Sequence, residues 1–302
     1  GNTTMCHIFL NKDVTGLKGA PFSVAYEGVY RTNSYDIGFK IYDIDEVIVL
    51  PNIMAHVGAD AAAVLCKEKM YKTGINEIAI DIGTNAEILL NCSGKVFVTS
   101  TAAGPAFEGK GIHSGMRAAP GAINSVKISR VNGNIILGML DDGKAENPRG
   151  LCGSGLIDAI SELMKARLLK KDGYLLTREE ALRQNVNINL CEHLKSDDKD
   201  GNCFILSKEN NIVITQKDIR NVQLAKGAIQ AGCEILLKKA GIGLNDINSI
   251  KIAGVFGKYI HVSQAMNFGL FPKYPEKLEI VGNAAGDGAA MALFEDGFID
   301  EM

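Results

Sequence analysis

Apolar and polar positions alternate toward a β pattern over residues 36–50, ending in Glu46-Val47-Ile48-Val49-Leu50, with Pro51 closing the predicted strand. Ala55 to about Tyr71 is alanine-rich and reads as a helix. Lys67 and Lys69 sit near its C-terminal end, where cations suit the helix dipole. Three strand signals then follow closely: Glu77–Ile82, Glu87–Leu90 and Lys95–Thr99. Gly83-Thr84-Asn85 and Asn91-Cys92-Ser93-Gly94 make the turns between them. This is a β-meander, and it opens a new lobe.

Gly153-Ser154 introduces a helix predicted from Gly155 to about Leu169. Residues 171–217 are more charged. Ser196-Asp197-Asp198-Lys199-Asp200 reads as a solvated loop, and Cys203–Leu206 with Ile212–Thr215 as an exposed hairpin. The segment is therefore expected to be a surface insertion. Thr215-Gln216-Lys217-Asp218 matches a capping box. A long helix follows to Ala240, with Ile219, Val222, Ile229, Cys233 and Leu236 on one stripe and Gly241 as its stop. Ser249–Ala253 and Leu278–Val281 read as short strands, and a last helix is predicted near Ala289–Phe294. Strands and helices alternate, so the fold class is α/β.

Composition narrows the function classes. The 302 residues are enough for two domains or one large one, and 46% apolar with 22% charged residues suits a globular protein. A net charge of −3 argues against a nucleic-acid surface. No apolar run approaches the roughly 18 residues of a membrane span, and no signal peptide is visible. The seven cysteines are scattered without a C-x-x-C pair. A zinc or iron–sulfur site wants clustered ligands, so these read as reduced thiols of a cytoplasmic protein. The chain opens Gly1-Asn2-Thr3-Thr4-Met5 without an initiator Met, and is expected to be a fragment of a longer protein.

The chemistry is concentrated in four glycine-rich turns. In Asp81-Ile82-Gly83-Thr84-Asn85 a carboxylate ends a strand just before a turn whose amides can face outward. Acid, glycine and hydroxyl in that order suit a magnesium-phosphate site, and an ordinary hairpin is the alternative. Gly153-Ser154-Gly155 offers amides and a hydroxyl at a helix start, for an anion or as a plain cap. Ala253-Gly254-Val255-Phe256-Gly257 follows a strand, where α/β proteins seat ligands. Gly282-Asn283-Ala284-Ala285-Gly286 follows another, and Asn283 either bonds a ligand or caps the last helix. Together the four favour a nucleotide. Gly104-Pro105-Ala106-Phe107-Glu108-Gly109-Lys110-Gly111 nearly spells a P-loop, but Gly111 stands where Ser or Thr is required. No G-x-G-x-x-G follows a strand, which removes the Rossmann alternative. His113 and His261 are isolated and read as ordinary histidines. Arg117 is a candidate for a phosphate or a carboxylate partner.

These residues resemble the actin, sugar-kinase and Hsp70 nucleotide-binding superfamily, and most closely its ATP-dependent reductive activators of corrinoid proteins. The resemblance covers nearly the whole chain. It is carried by Gly1–Met5, Leu50-Pro51-Asn52-Ile53 with Gly58-Ala59-Asp60, Asp81–Ile88, Ser100–Gly109, Gly115-Met116-Arg117-Ala118, Cys152–Gly155, Gln223–Lys226 and Ala253–Gly257. It implies ribonuclease-H-like lobes: a remnant of the first over 1–75, and the second over 76–302 with a surface insertion near 171–217. It implies ATP or ADP with Mg2+ between them. Asp81 would be the catalytic and metal residue, and Gly83, Thr84 and Asn85 would form the second phosphate loop with Gly153 and Ser154 nearby. Gly254, Phe256 and Gly257 would form the adenosine loop, with Gln223 and Lys226 reaching base or ribose. Thr101, Gly104 and Glu108 would line the cleft floor. Such activators couple ATP to electron transfer from a [2Fe-2S] domain to a Co(II) corrinoid partner, returning it to Co(I). The first phosphate loop and the iron–sulfur domain are expected upstream of Gly1. A homodimer is compatible with the resemblance. A small-molecule kinase and a non-catalytic nucleotide-sensing module are the competing functions.

Overall fold

The computed structural model describes residues 2–39, 46–140, 147–197, 201–254, 260–272, 275–295 and 297–301. Helix α1 (Thr3–Phe9) is capped by the Asn2 side chain, which accepts from the Met5 amide. Strands β1 (Gly28–Thr32) and β2 (Val47–Asn52) pair antiparallel as a two-stranded sheet. Pro51 lies inside β2 rather than closing it; a sheet with so few strands has an edge where a missing N–H costs nothing. Helix α2 (Ala59–Lys67) starts later than its alanines suggest. Residues 54–57 form a turn instead, and Gly58 touches the backbone of Asn2 and Thr3.

The meander forms as expected: β3 (Glu77–Ile82), β4 (Ala86–Cys92) and β5 (Lys95–Thr101). It joins β12 (Ser249–Ala253) and β13 (Leu278–Gly282) in one sheet of order β13-β12-β3-β4-β5. β12 runs parallel to both β3 and β13. Successive side chains of β3 go to opposite faces, as a strand requires. Ile78, Ile80 and Ile82 enter the largest core cluster, whereas Ala79 enters a second one with Val64, Leu89 and Ala253. Helix α6 (Gln216–Ala240) covers the first face. Helices α2 and α8 (Ala284–Phe294) pack together over the second.

β6 (Ala122–Ile128), β7 (Ile135–Met139) and β8 (Gly150–Leu151) form a further small sheet. Helix α3 (Gly153–Lys165) lies on β6 so closely that any side chain at Gly155 would strike the Ile123 carbonyl.

Residues 171–217 do not lie on the surface as an exposed insertion. They hold α4 (Arg178–Arg183), α5 (Ile188–Cys191), β9 (Leu194–Asp197), β10 (Gly201–Ser207) and β11 (Ile212–Thr215). Leu175, Leu176, Leu190, Phe204 and Ile214 are buried in the main core. The charges lie between apolar positions that the packing brings to one face. Ser196-Asp197 belong to β9, and 198–200 fall outside the described residues. Helix α7 (Val262–Phe268) precedes β13.

α8 begins at Ala284, earlier than predicted, because Asn283 caps it and its glycines serve packing: a side chain at Gly288 would strike the Ala63 carbonyl of α2. Among the described residues no helix is long and apolar enough to cross a membrane.

The capping box at α6 is present. The Thr215 hydroxyl accepts from the Asp218 amide at 3.1 Å, and Asp218 accepts from the Thr215 amide at 2.9 Å and the His113 amide at 2.8 Å. Thr215→Ala is expected to lower the unfolding free energy by about 1 kcal/mol, measured by urea denaturation.

Candidate functional site

Strands β3, β12 and β13 run parallel, so their carboxyl ends open on one side of the sheet, where α/β folds seat ligands. Asp81, Gly254 and Asn283 lie at those three ends. They line a cavity of about 460 Å³ with Ile82, Gly83, Phe107, Glu108, Arg117, Ala118, Cys152, Gly153 and Ser154. Gly254 must be glycine: its φ is +100°, and a side chain would stand 2.6 Å from the Ile82 carbonyl and 3.0 Å from Asp81 Oδ1. α3 points its first turn at the cavity. Its cap residue Cys152 makes no side-chain bond to the helix amides, so no cap of that kind competes for the amides at this end.

The cavity is bordered by acids. The turn through Gly83-Thr84-Asn85 sets Asp81 directly opposite Glu87 on β4. Burial and the Asp60 carboxylate push Asp81 up to about 6. Burial, Asp60 and Asp81 push Glu87 up to about 7, against a 3.2 Å bond from the Ser100 hydroxyl. Glu108 is held below the usual range by the Thr84 hydroxyl, which donates to it, and by Lys110 and Arg117. Among the described residues no three His, Cys, Asp or Glu side chains form a metal cage. A single carboxylate with phosphate and water as the other ligands is how magnesium is commonly held, so the donor set fits a divalent cation carried in with a nucleotide.

The structure brings Asp81, Gly83, Gly153, Ser154 and Gly254 to this one cavity. Thr84 is joined to it through Glu108. Asn85 borders a neighbouring cavity with Asn2, Thr3 and Thr4. Gln223 and Lys226 lie on α6 with their side chains engaged elsewhere: Gln223 donates to the Asp172 carbonyl at 3.0 Å, and Lys226 to that of Phe268 at 2.9 Å. Phe256 and Gly257 fall outside the described residues. Asn283 caps α8, accepting from the Gly286 amide at 3.3 Å. Glu87 was missed, although a signal existed: a turn centred on Thr84 places residue 87 across from 81. Phe107, Ala118 and Cys152 also line the cavity; they lie in motifs that carry the resemblance, but none was singled out as a site residue.

An α/β sheet of this order, with a glycine-turn cavity at its carboxyl ends, defines an actin-like ASKHA domain, a class that binds nucleotide with a divalent metal. Residues 76–302 match a family model described as the C-terminal domain of RACo, the ASKHA domain, and residues 1–73 match the RACo middle region. The chain belongs to the RACo family. It is 38% identical to the corrinoid activation enzyme RamQ of Eubacterium limosum, over 97% of this chain and 49% of that protein. It is 28% identical to a [Co(II) methylated amine-specific corrinoid protein] reductase of Methanosarcina barkeri, over 88% of this chain and 47% of the relative. A solved reductive activator for corrinoid, iron-sulfur protein superposes with a TM-score of 0.87 at 33% identity, over all of this chain and 47% of that one. The chain thus spans about half the length of these relatives. The resemblance drawn from the motifs is borne out for family and fold.

Glu87 also generates a pH dependence. Its folded-state pKa lies above the unfolded value, so its contribution is fully present below about 4.5 and is lost as pH rises through about 7. Glu87→Gln keeps an acceptor for Ser100 and stays neutral. In metal-free buffer the variant is expected to match wild type near the lower of those values. At a pH above the upper one it is expected to exceed wild type by on the order of 2 kcal/mol, read by thermal and urea unfolding.

Proposed function

We propose that this chain is the nucleotide-binding part of an ATP-dependent reductive activator that returns a Co(II) corrinoid protein to Co(I). The observation that carries the reading is the meeting of the Asp81–Gly83 turn, the first turn of α3 and Gly254 on one cavity. The functions of the relatives point the same way.

Asp81 would orient water on Mg2+, and the amides of Gly153 and Ser154 would face phosphate oxygens of ATP or ADP, while the Gly83 amide closes its turn by donating to the Asn85 carbonyl at 3.0 Å. Glu108 holds the Thr84 hydroxyl and fixes the second phosphate turn. Gln223 and Lys226 would have to leave the Asp172 and Phe268 carbonyls to reach base or ribose. Hydrolysis of ATP to ADP and phosphate would accompany the passage of one electron to Co(II). That electron would come from an iron–sulfur group outside this chain, since the seven cysteines are scattered and form no metal-holding cluster among the described residues. Reduced thiols suit a cytoplasmic setting. The first lobe over 1–75 and the second over 76–302 would close on the nucleotide.

Calorimetric titration with ADP and ATP, with and without magnesium, tests the site. Wild type is expected to bind in a magnesium-dependent manner, and Asp81→Ala to lose at least about tenfold in affinity while keeping its circular dichroism. A variant with the full magnesium-dependent affinity would overturn the phosphate-site assignment.

A further inference from the structure

A network of charged side chains between α3 and α7 is left unused by the nucleotide reading. Among the described residues β6 pairs with β8 only at Ala122 and Ile123, so beyond them one edge of β6 has no partner strand there. Two carboxylates of α3 take that edge. Asp158 Oδ2 accepts from the Val126 amide at 3.3 Å, and Glu162 Oε2 from the Ile128 amide at 3.0 Å. Both acids are buried.

Glu162 is well supplied otherwise, by Lys165 at 2.8 Å and Gln264 at 2.9 Å. Asp158 is not. Among the described residues its Oδ1 is buried without a hydrogen-bond partner, and its one side-chain donor is His261, whose Nδ1 donates to Oδ2 at 2.8 Å. The Asp158 side chain is 3% exposed and that of His261 is 49%. A buried carboxylate so poorly supplied depends heavily on the donor it has.

The position of this pair matters. α3 carries Gly153 and Ser154 into the cavity at its first turn, and β12 delivers Gly254 to the same cavity. The chain that leaves β12 at Gly254 re-enters the described structure at Ile260, which is buried, and His261, which caps α7. We infer that the Asp158–His261 hydrogen bond is a clasp that fixes α3, whose first turn lines the nucleotide cavity, to the start of α7, and that His261 is through α3 a positioning residue for the nucleotide. The role in positioning rests on the function proposed above; the clasp itself does not.

Hydrogen exchange by mass spectrometry on the nucleotide-free protein tests the clasp. In His261→Ala, peptides covering 150–158 and 250–268 are expected to exchange about tenfold faster, and those of the β3–β5 meander unchanged. His261→Asn places an amide donor near the position of Nδ1 and is expected to restore wild-type exchange. A change confined to the α7 peptide, no change, or an Asn variant behaving like the Ala variant would overturn the clasp. In the same three proteins, magnesium-ADP affinity is expected to fall about tenfold in His261→Ala and to recover in His261→Asn. Equal affinity in all three would overturn the positioning role. Wild type that binds no nucleotide would sink the proposed function and the positioning role with it, and leave the clasp to the exchange data.

Discussion

The structure turns on the pairing of β3. This strand is parallel to β12 on one side and antiparallel to β4 on the other. The parallel pairing brings Gly254 beside Asp81 at the ligand-binding end of the sheet. The antiparallel pairing places Glu87 across from Asp81. A slip of one residue would turn Asp81 onto the face of Ile80 and Ile82, into the main core. The isoleucines on one face and the small Ala79 on the other hold the register against that slip.

The same strand shows stability traded for a site. Burial, with the Asp60 carboxylate nearby, raises the pKa of Asp81, and burial with Asp60 and Asp81 raises that of Glu87. Packing alone would not select that arrangement, because like charges facing across a sheet are destabilising. The cation of the proposed function would offset that repulsion. The cavity wall is completed by glycine turns and by the first turn of α3, whose amides take no bond from the side chain of its cap residue. The walls come from segments far apart in sequence, and the Asp158–His261 bond ties one of them, α3, to the start of α7.

Much of the fold was legible in the sequence because its signals are local. The capping box at Thr215–Asp218, the stop at Gly241 and the three strands of the meander depend on neighbours within a few residues. Errors arose where tertiary contacts override local preference. The glycine-rich start of α8 looked like a turn, yet it is helical because α2 approaches too closely for larger residues. The segment 171–217 looked exposed because its charges are frequent, yet its apolar positions converge on the core.

By itself the sequence determined the α/β class, the family resemblance and the acid-glycine turn at Asp81, since each is written in a contiguous motif. Tertiary structure alone decided which glycine turns share a cavity. It decided that Gln223 and Lys226 are bonded to backbone carbonyls of distant segments, that Glu87 faces Asp81, and that an isolated histidine pairs with a buried aspartate on another helix. Those relations depend on strand order and helix approach, which bring together residues that no periodicity or spacing along the chain connects.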